Sequence, residues 1–238
     1  MTRPSPTLLA LCAILAAAVL WGTTGTLQSF LPDTREPLVV GALRLAIGAF
    51  SLLLLASLTR GAFAALRELP KTPLLVAALG MAAYNLLFFA AVAQAGVGLG
   101  TAVTIGSAPL WVAAYDTLLL RRGPSRRKAL GQALAIAGAA LLVLAGTQGG
   151  ASPIGLLLAA AAGLSYASYS LASSKMVAHA PAATIAASTF ALAALFTAPV
   201  FAYVPWHWAL TGTAPATLLA LGVGSTGLAY ALYTWGLK

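Results

Sequence analysis

The stretch from Pro73 to Leu120, PLLVAALGMAAYNLLFFAAVAQAGVGLGTAVTIGSAPLWVAAYDTLLL, decides the fold. It carries one charged side chain, Asp116. It is far longer than the roughly 20 apolar residues that one helix needs to cross a hydrocarbon core. Length therefore demands two helices. The break between them falls in the glycine run Gly96, Gly98 and Gly100, with no charge to mark it.

The rest of the chain repeats this pattern. Of its 238 residues, 61% are hydrophobic and 7% charged, where soluble domains run at about 45–50% and 25%. So few charges cannot cover a water-facing surface, and the high hydrophobicity excludes disorder. Eight apolar stretches emerge, at 8–29, 38–58, 73–94, 98–120, 129–147, 154–176, 183–204 and 216–237. Turn or charge signals separate them, such as Pro32 to Pro37, Arg60 to Lys71, Arg121 to Lys128, Gln148 to Pro153, His179 to Pro181 and Pro205 to Pro215. The expected fold is all-α, a polytopic membrane helix bundle. The apolar run after Arg3 continues to Phe30, longer than the 7–15 residues of a signal-peptide core, so the first stretch is expected to be a retained helix.

The net charge is +9, and its distribution sets the orientation. With the N-terminus inside, the inner segments hold Arg3, Arg60, Arg67, Lys71, Arg121, Arg122, Arg126, Arg127, Lys128, Lys175 and Lys238. The outer segments hold only Arg35, and Arg44 lies within a span. This asymmetry predicts a multi-pass protein of the cell (inner) membrane with a cytoplasmic N-terminus. The basic loop Arg121 to Lys128 reads as a topology anchor against anionic lipid, and no nucleic-acid partner is expected. A single cysteine, Cys12, excludes an internal disulfide or a cysteine metal site.

A weak internal repeat is present. Pro73, Ala78, Leu79, Gly80 and Leu86 recur 142 positions later as Pro215, Ala220, Leu221, Gly222 and Leu228. If helices three and eight correspond, the unit is five helices, and an odd unit inverts its second copy.

Here the chain resembles a family. Leu20-Trp21-Gly22, Leu43-Arg44-Leu45, Ser107-Ala108-Pro109-Leu110, and Gly131 with Ala137-Gly138 are similar, in order and spacing, to the EamA domain of the drug/metabolite transporter superfamily. The resemblance implies inverted five-helix repeats in a ten-helix carrier with both termini inside. Many members export amino acids or other small metabolites. It further implies a first repeat over 1–150 (helices one to five) and a partial second repeat over 151–238 (helices six to eight). Eight of ten spans are then present, and two further helices are expected to complete the second half. The chain departs from the family pattern after helix four, where a common glutamate is replaced by Arg121-Arg122-Gly123.

Polar side chains on membrane helices turn toward protein or a wet cavity. Helical spacing assigns such faces to five helices. They are Trp21, Thr24 and Gln28 on helix one; Tyr84, Asn85 and Phe88 on helix three; Ser107, Trp111 and Tyr115, with Thr104, on helix four. Helix six contributes Tyr166 and Tyr169, with Ser165, and helix eight Tyr230, with Thr226, Tyr233 and Thr234. The expectation is one shared substrate cavity lined by all five. Interhelical packing is the competing reading for each stripe. The cavity chemistry is aromatic, hydroxylic and nearly uncharged. It suits a small neutral or zwitterionic solute, its ammonium over a ring face and its carboxylate on hydroxyl or amide donors. A broken helix N-terminus is a further option for the carboxylate, at Gly22 to Gly25 or Gly106 to Pro109.

Trp206, Trp208 and Trp235 sit at helix ends as interface anchors. Arg44, about two turns into helix two, reads either as a snorkelling residue or as a carboxylate partner. Asp116 is expected to pair locally with Arg121 or Arg122. Gly131, Ala135, Gly138 and Ala139 give helix five a small-residue face for close packing or a homodimer.

The only histidines, His179 and His207, fall on opposite faces of the membrane, so neither can activate Ser107 at mid-helix. No enzyme activity, cofactor or metal is expected. A channel would need charged or carbonyl rings that are not evident. Within carriers, a sugar-phosphate or nucleotide-sugar exchanger or a multidrug exporter remains the alternative to an amino-acid exporter. The expected partners are the substrate and the lipid bilayer.

Overall fold

The computed structural model describes residues 6–58, 61–121, 123, 125–146 and 152–236. Arg3, Arg60, Arg122, Gln148 and Lys238 lie outside them. The described chain is built of helices. The long ones are α1 (Pro6–Gln28), α2 (Pro37–Ser57), α3 (Lys71–Ala95), α4 (Val97–Leu118), α5 (Arg126–Gly146), α6 (Pro153–Ser174) and α7 (Ala182–Thr197). The last, α8, runs through Ala214–Leu219, Ala220–Leu228 and Ala229–Gly236. Seven of these segments are long and apolar enough to cross a membrane, α7 being counted on to Tyr203. The other, α5, spans 21 residues with Arg126, Arg127 and Lys128 in its first turn.

The uncharged break in the opening stretch is a single residue. Gly96 has φ of +80°, in the left-handed region that favours glycine. Its N–H closes α3 on the Val92 carbonyl at 2.9 Å, and its own carbonyl accepts from Gly100 N–H at 3.0 Å to open α4. Pro199, which has no N–H to donate, follows the end of α7, and a short turn, Val200–Tyr203, comes after it.

The helices α2, α3 and α8 form the middle of the bundle, and α7 packs on both α2 and α3. At the rims, α1 lies on α8, α4 on α6, and α5 on α4. The contacts have an internal symmetry. Helix α3 packs on α6 and α7, while α8 packs on α1 and α2. Exchanging α1 to α3 with α6 to α8 carries the first set of contacts onto the second.

Small residues permit the close approaches, because lipid offers no hydrophobic drive for helices to associate. Ala77, Ala78, Ala159, Ala162 and Ala193 are fully buried. The outward faces are apolar, with Phe50, Leu58 and Leu157 mostly exposed.

The loops sort onto two ends. At one end Leu31 clusters with Ala209 and Ala214, and Thr213 Oγ1 donates to the Phe30 carbonyl at 3.0 Å. At the other, Leu69 clusters with Met176 and Ala180. Arg35 therefore lies at one end, and Arg67 and Lys175 at the other. The partition follows the alternating crossings expected from the charges.

Candidate functional site

Aromatic residues one helical turn apart stack along a helix face. Tyr84 and Phe88 do so on α3, and Tyr166 and Tyr169 on α6, while Tyr230 and Tyr233 of α8 each meet Trp21. Packing joins these pairs into one run of rings. Trp21 of α1 meets Tyr230 at 5.3 Å between centroids, and Tyr230 meets Phe190 of α7 at 4.6 Å. Phe190 meets Tyr169 at 6.3 Å, Tyr169 meets Tyr166 at 5.5 Å, and Tyr166 meets Tyr84 at 5.1 Å. Tyr84 meets Phe88 at 5.8 Å, and Phe88 meets Phe89 at 5.4 Å. The tilted and edge-on angles are those that aromatic quadrupoles favour. Five helices from both halves of the chain thus meet through their rings.

The polar neighbours of this run divide into two groups. Some bond to their own helix. Asn85 is buried, and its Nδ2 donates to the Met81 carbonyl at 3.1 Å. Gln28 donates to the Thr24 carbonyl at 3.3 Å, with Thr24 itself buried. Others bond between helices. Thr23 Oγ1 and Ser225 Oγ lie 3.3 Å apart, joining α1 to α8.

The α4 stripe does not join the ring run. Ser107 Oγ donates to the Thr104 carbonyl at 3.3 Å and lies against Gly163. Trp111 Nε1 donates to the Ala160 carbonyl of α6 at 3.1 Å, and Trp111 is 38% exposed. Thr104 Oγ1 donates to the Ala159 carbonyl at 3.2 Å. Tyr115 is half-buried and makes no ring contact among the described residues. This stripe holds α4 on α6. Four of the five expected faces converge, and Phe190 of α7 supplies the fifth set of rings.

Helices α1 and α4 run unbroken through Gly22 to Gly25 and Gly106 to Pro109. The irregular turn is in α8 instead, where Ala220–Leu228 forms a π-helical segment. Such segments widen the turn and free backbone groups. Thr226 Oγ1 answers the Leu221 carbonyl five residues back at 3.4 Å. The segment faces Arg44. Arg44 Nε donates to Thr226 Oγ1 at 3.0 Å, and Nη2 to the Ser225 carbonyl at 3.5 Å. Its guanidinium carbon lies 5.6 Å from the centre of the Phe89 ring. Arg44 is only 5% exposed, so it does not snorkel. Helices α2 and α8 come this close because Gly48 faces Thr226 and Gly222 faces Ile47.

Three residues of this centre were not among the expected site, Phe89, Phe190 and Arg44. Phe190 carried no sequence signal, since α7 has no aromatic stripe. Arg44 carried a clear one, as a Lys or Arg set well inside a span rather than at its end.

Asp116 and Arg121 form no ion pair, the one pair among the described residues being Arg35 with Asp33 at 3.8 Å. Gly131 and Gly138 of α5 face open space. His179 lies in the turn after α6, and His207 stacks on Trp206 beyond α7 at 4.8 Å.

Comparison with known proteins agrees with this architecture. The model of the EamA-like transporter family matches residues 8–144 and again 153–238. An uncharacterised transporter of Bacillus subtilis (strain 168), YwfM, is 34% identical over 94% of this chain and 75% of its own length. One solved crystal structure superposes with a TM-score of 0.71 at 26% identity, covering 99% of this chain and 79% of that one. A multi-pass helical bundle whose two segments both match one family model, with a relative this similar, belongs to the EamA-like transporter family.

Proposed function

We propose that this chain is a carrier that exports a small neutral or zwitterionic metabolite, an amino acid with an aromatic or apolar side chain. It works by alternating access in the inner membrane, with its N-terminus in the cytoplasm. The observation that carries this reading is the run of rings from Trp21 to Phe88, drawn from five helices and from both halves of the chain. Rings so arranged offer apolar edges to a side chain and electron-rich faces to an ammonium group. Trp21, Thr24, Tyr84, Asn85, Phe88, Tyr166, Tyr169 and Tyr230 form the proposed site. Ser107, Trp111 and Tyr115 border it from α4.

Residues 1–150 and 151–238 are taken as the two repeats. Alternating access needs two arrangements of similar energy, and contacts that map onto one another when the two repeats are exchanged suit that need.

Uptake into proteoliposomes from a panel of radiolabelled amino acids tests the reading. Saturable, mutually competing uptake of aromatic and large apolar amino acids supports it. Preference for a sugar phosphate or a lipophilic cation over every amino acid replaces it with the exchanger or multidrug alternative.

A further inference from the structure

We infer that Arg44 is the residue that recognises the carboxylate of the transported solute. This deepens the carrier reading just given, and rests on it. A guanidinium at membrane depth is costly unless it is paired, reaches the interface, or faces water. Arg44 is 5% exposed, so its head does not reach the interface. The chain has four acidic residues, Asp33, Glu36, Glu68 and Asp116. None forms an ion pair with Arg44. A permanent cation (arginine does not deprotonate in proteins) is thus buried with no anion paired to it among the described residues.

Donor use points the same way. A guanidinium carries five N–H donors in a planar fork. Nε is used well, on Thr226 Oγ1 at 3.0 Å, and Nη2 reaches the Ser225 carbonyl only at 3.5 Å. Neutral oxygens satisfy part of the fork and none of its charge. A carboxylate matches the remaining fork geometry and neutralises it.

Arg44 lies over the Phe89 ring, and Phe89 meets Phe88 at the end of the ring run. A carboxylate held there sets the atoms attached to it against the ring run. The two amides named for this task bond within their own helices. Asn85 donates to Met81 and Gln28 to Thr24, and α1 and α4 have no break at their glycines. The π segment of α8 has the complementary role. Its hydroxyl and carbonyl hold the guanidinium in place through Nε and Nη2.

The test uses the purified full chain in detergent, with three probes: L-phenylalanine, L-phenylalaninamide and phenylacetate. Binding is read by titration calorimetry. The unmodified protein is expected to bind both carboxylates at least about tenfold more tightly than the amide, the loss expected when a buried charge partner is removed. Arg44→Gln is expected to lose that margin for both carboxylates and to leave amide affinity within about twofold. Arg44→Lys retains part of the margin, because it keeps the charge without the fork.

Equal affinity of the unmodified protein for phenylalanine and its amide overturns the assignment, whatever the variants do. So does an equal loss for acid and amide in a folded Arg44→Gln. Arg44-dependent binding of phenylacetate without binding of phenylalanine leaves the assignment standing and removes the amino-acid reading. Binding of phenylalanine and its amide alike removes the assignment and leaves the carrier reading intact. If none of the three probes binds, both fall.

Discussion

Arg44 Nε donates to Thr226 Oγ1 across 3.0 Å, and this bond joins the middle of α2 to the π segment of α8. The hydroxyl also reaches the Leu221 carbonyl, so it serves the cation and the widened turn together. Thr226→Val keeps the shape and removes both bonds. We expect it to lower unfolding stability in detergent by about 1.5–3 kcal/mol, the range for a hydrogen bond to a charged group. Thr226→Ser should restore most of it. Equal thermal denaturation of the valine variant and the parent would contradict the assigned bond.

Helix contact through backbone is expected at Gly80 and not at Gly138. A Cβ added to Gly80 would meet the Ser165 carbonyl oxygen at 2.8 Å and the Tyr169 nitrogen at 2.9 Å, both backbone atoms that cannot rotate aside. Gly80→Ala should therefore push α3 from α6 and cost about 1–3 kcal/mol. Gly138→Ala meets nothing within 4 Å and should cost nothing. Thermal stability of the two alanine variants, side by side, decides the matter.

The ring run predicts a hierarchy of transport defects. Tyr84→Leu and Tyr166→Leu keep apolar bulk but interrupt the sequence of rings. Each should lower uptake about tenfold or more at unchanged expression, given the added worth of aromatic pairs. Trp111→Leu removes a bond from α4 to α6 at the border of the run and should have a smaller effect. Trp206→Leu, whose ring packs on Phe201 and His207, should be near neutral. Equal defects in all four would assign these aromatics to folding.

Sidedness is checked by labelling. In a Cys12→Ser background, Thr211→Cys, an exposed position among the α7–α8 loops, should react with a membrane-impermeant maleimide from outside. Ala178→Cys, exposed at the opposite end, should react only after permeabilisation. The reverse pattern would invert the proposed orientation.

The membrane class, the positions of the spans and their division between two ends were all legible in the residues. The reason is local. A bilayer demands a length of apolar helix wherever the chain crosses, and charge collects where it does not. Even the uncharged turn at Gly96 followed from length alone, and its positive φ explains why a glycine stands there.

What each helix face touches was decided by tertiary structure alone. In a soluble protein the buried face differs in polarity from the exposed one. Here lipid and protein interior are both apolar, so that contrast is weak. The stripes on α3 and α4 read alike, yet Tyr84 meets Tyr166 while Trp111 bonds to the Ala160 carbonyl. Phe190 entered the centre because α7 packs on α2 and α3, which nothing in its own segment encodes. The partner of Arg44 was out of reach of sequence reading for the same reason. It lies 182 residues away, in a turn that becomes π-helical within the packed bundle.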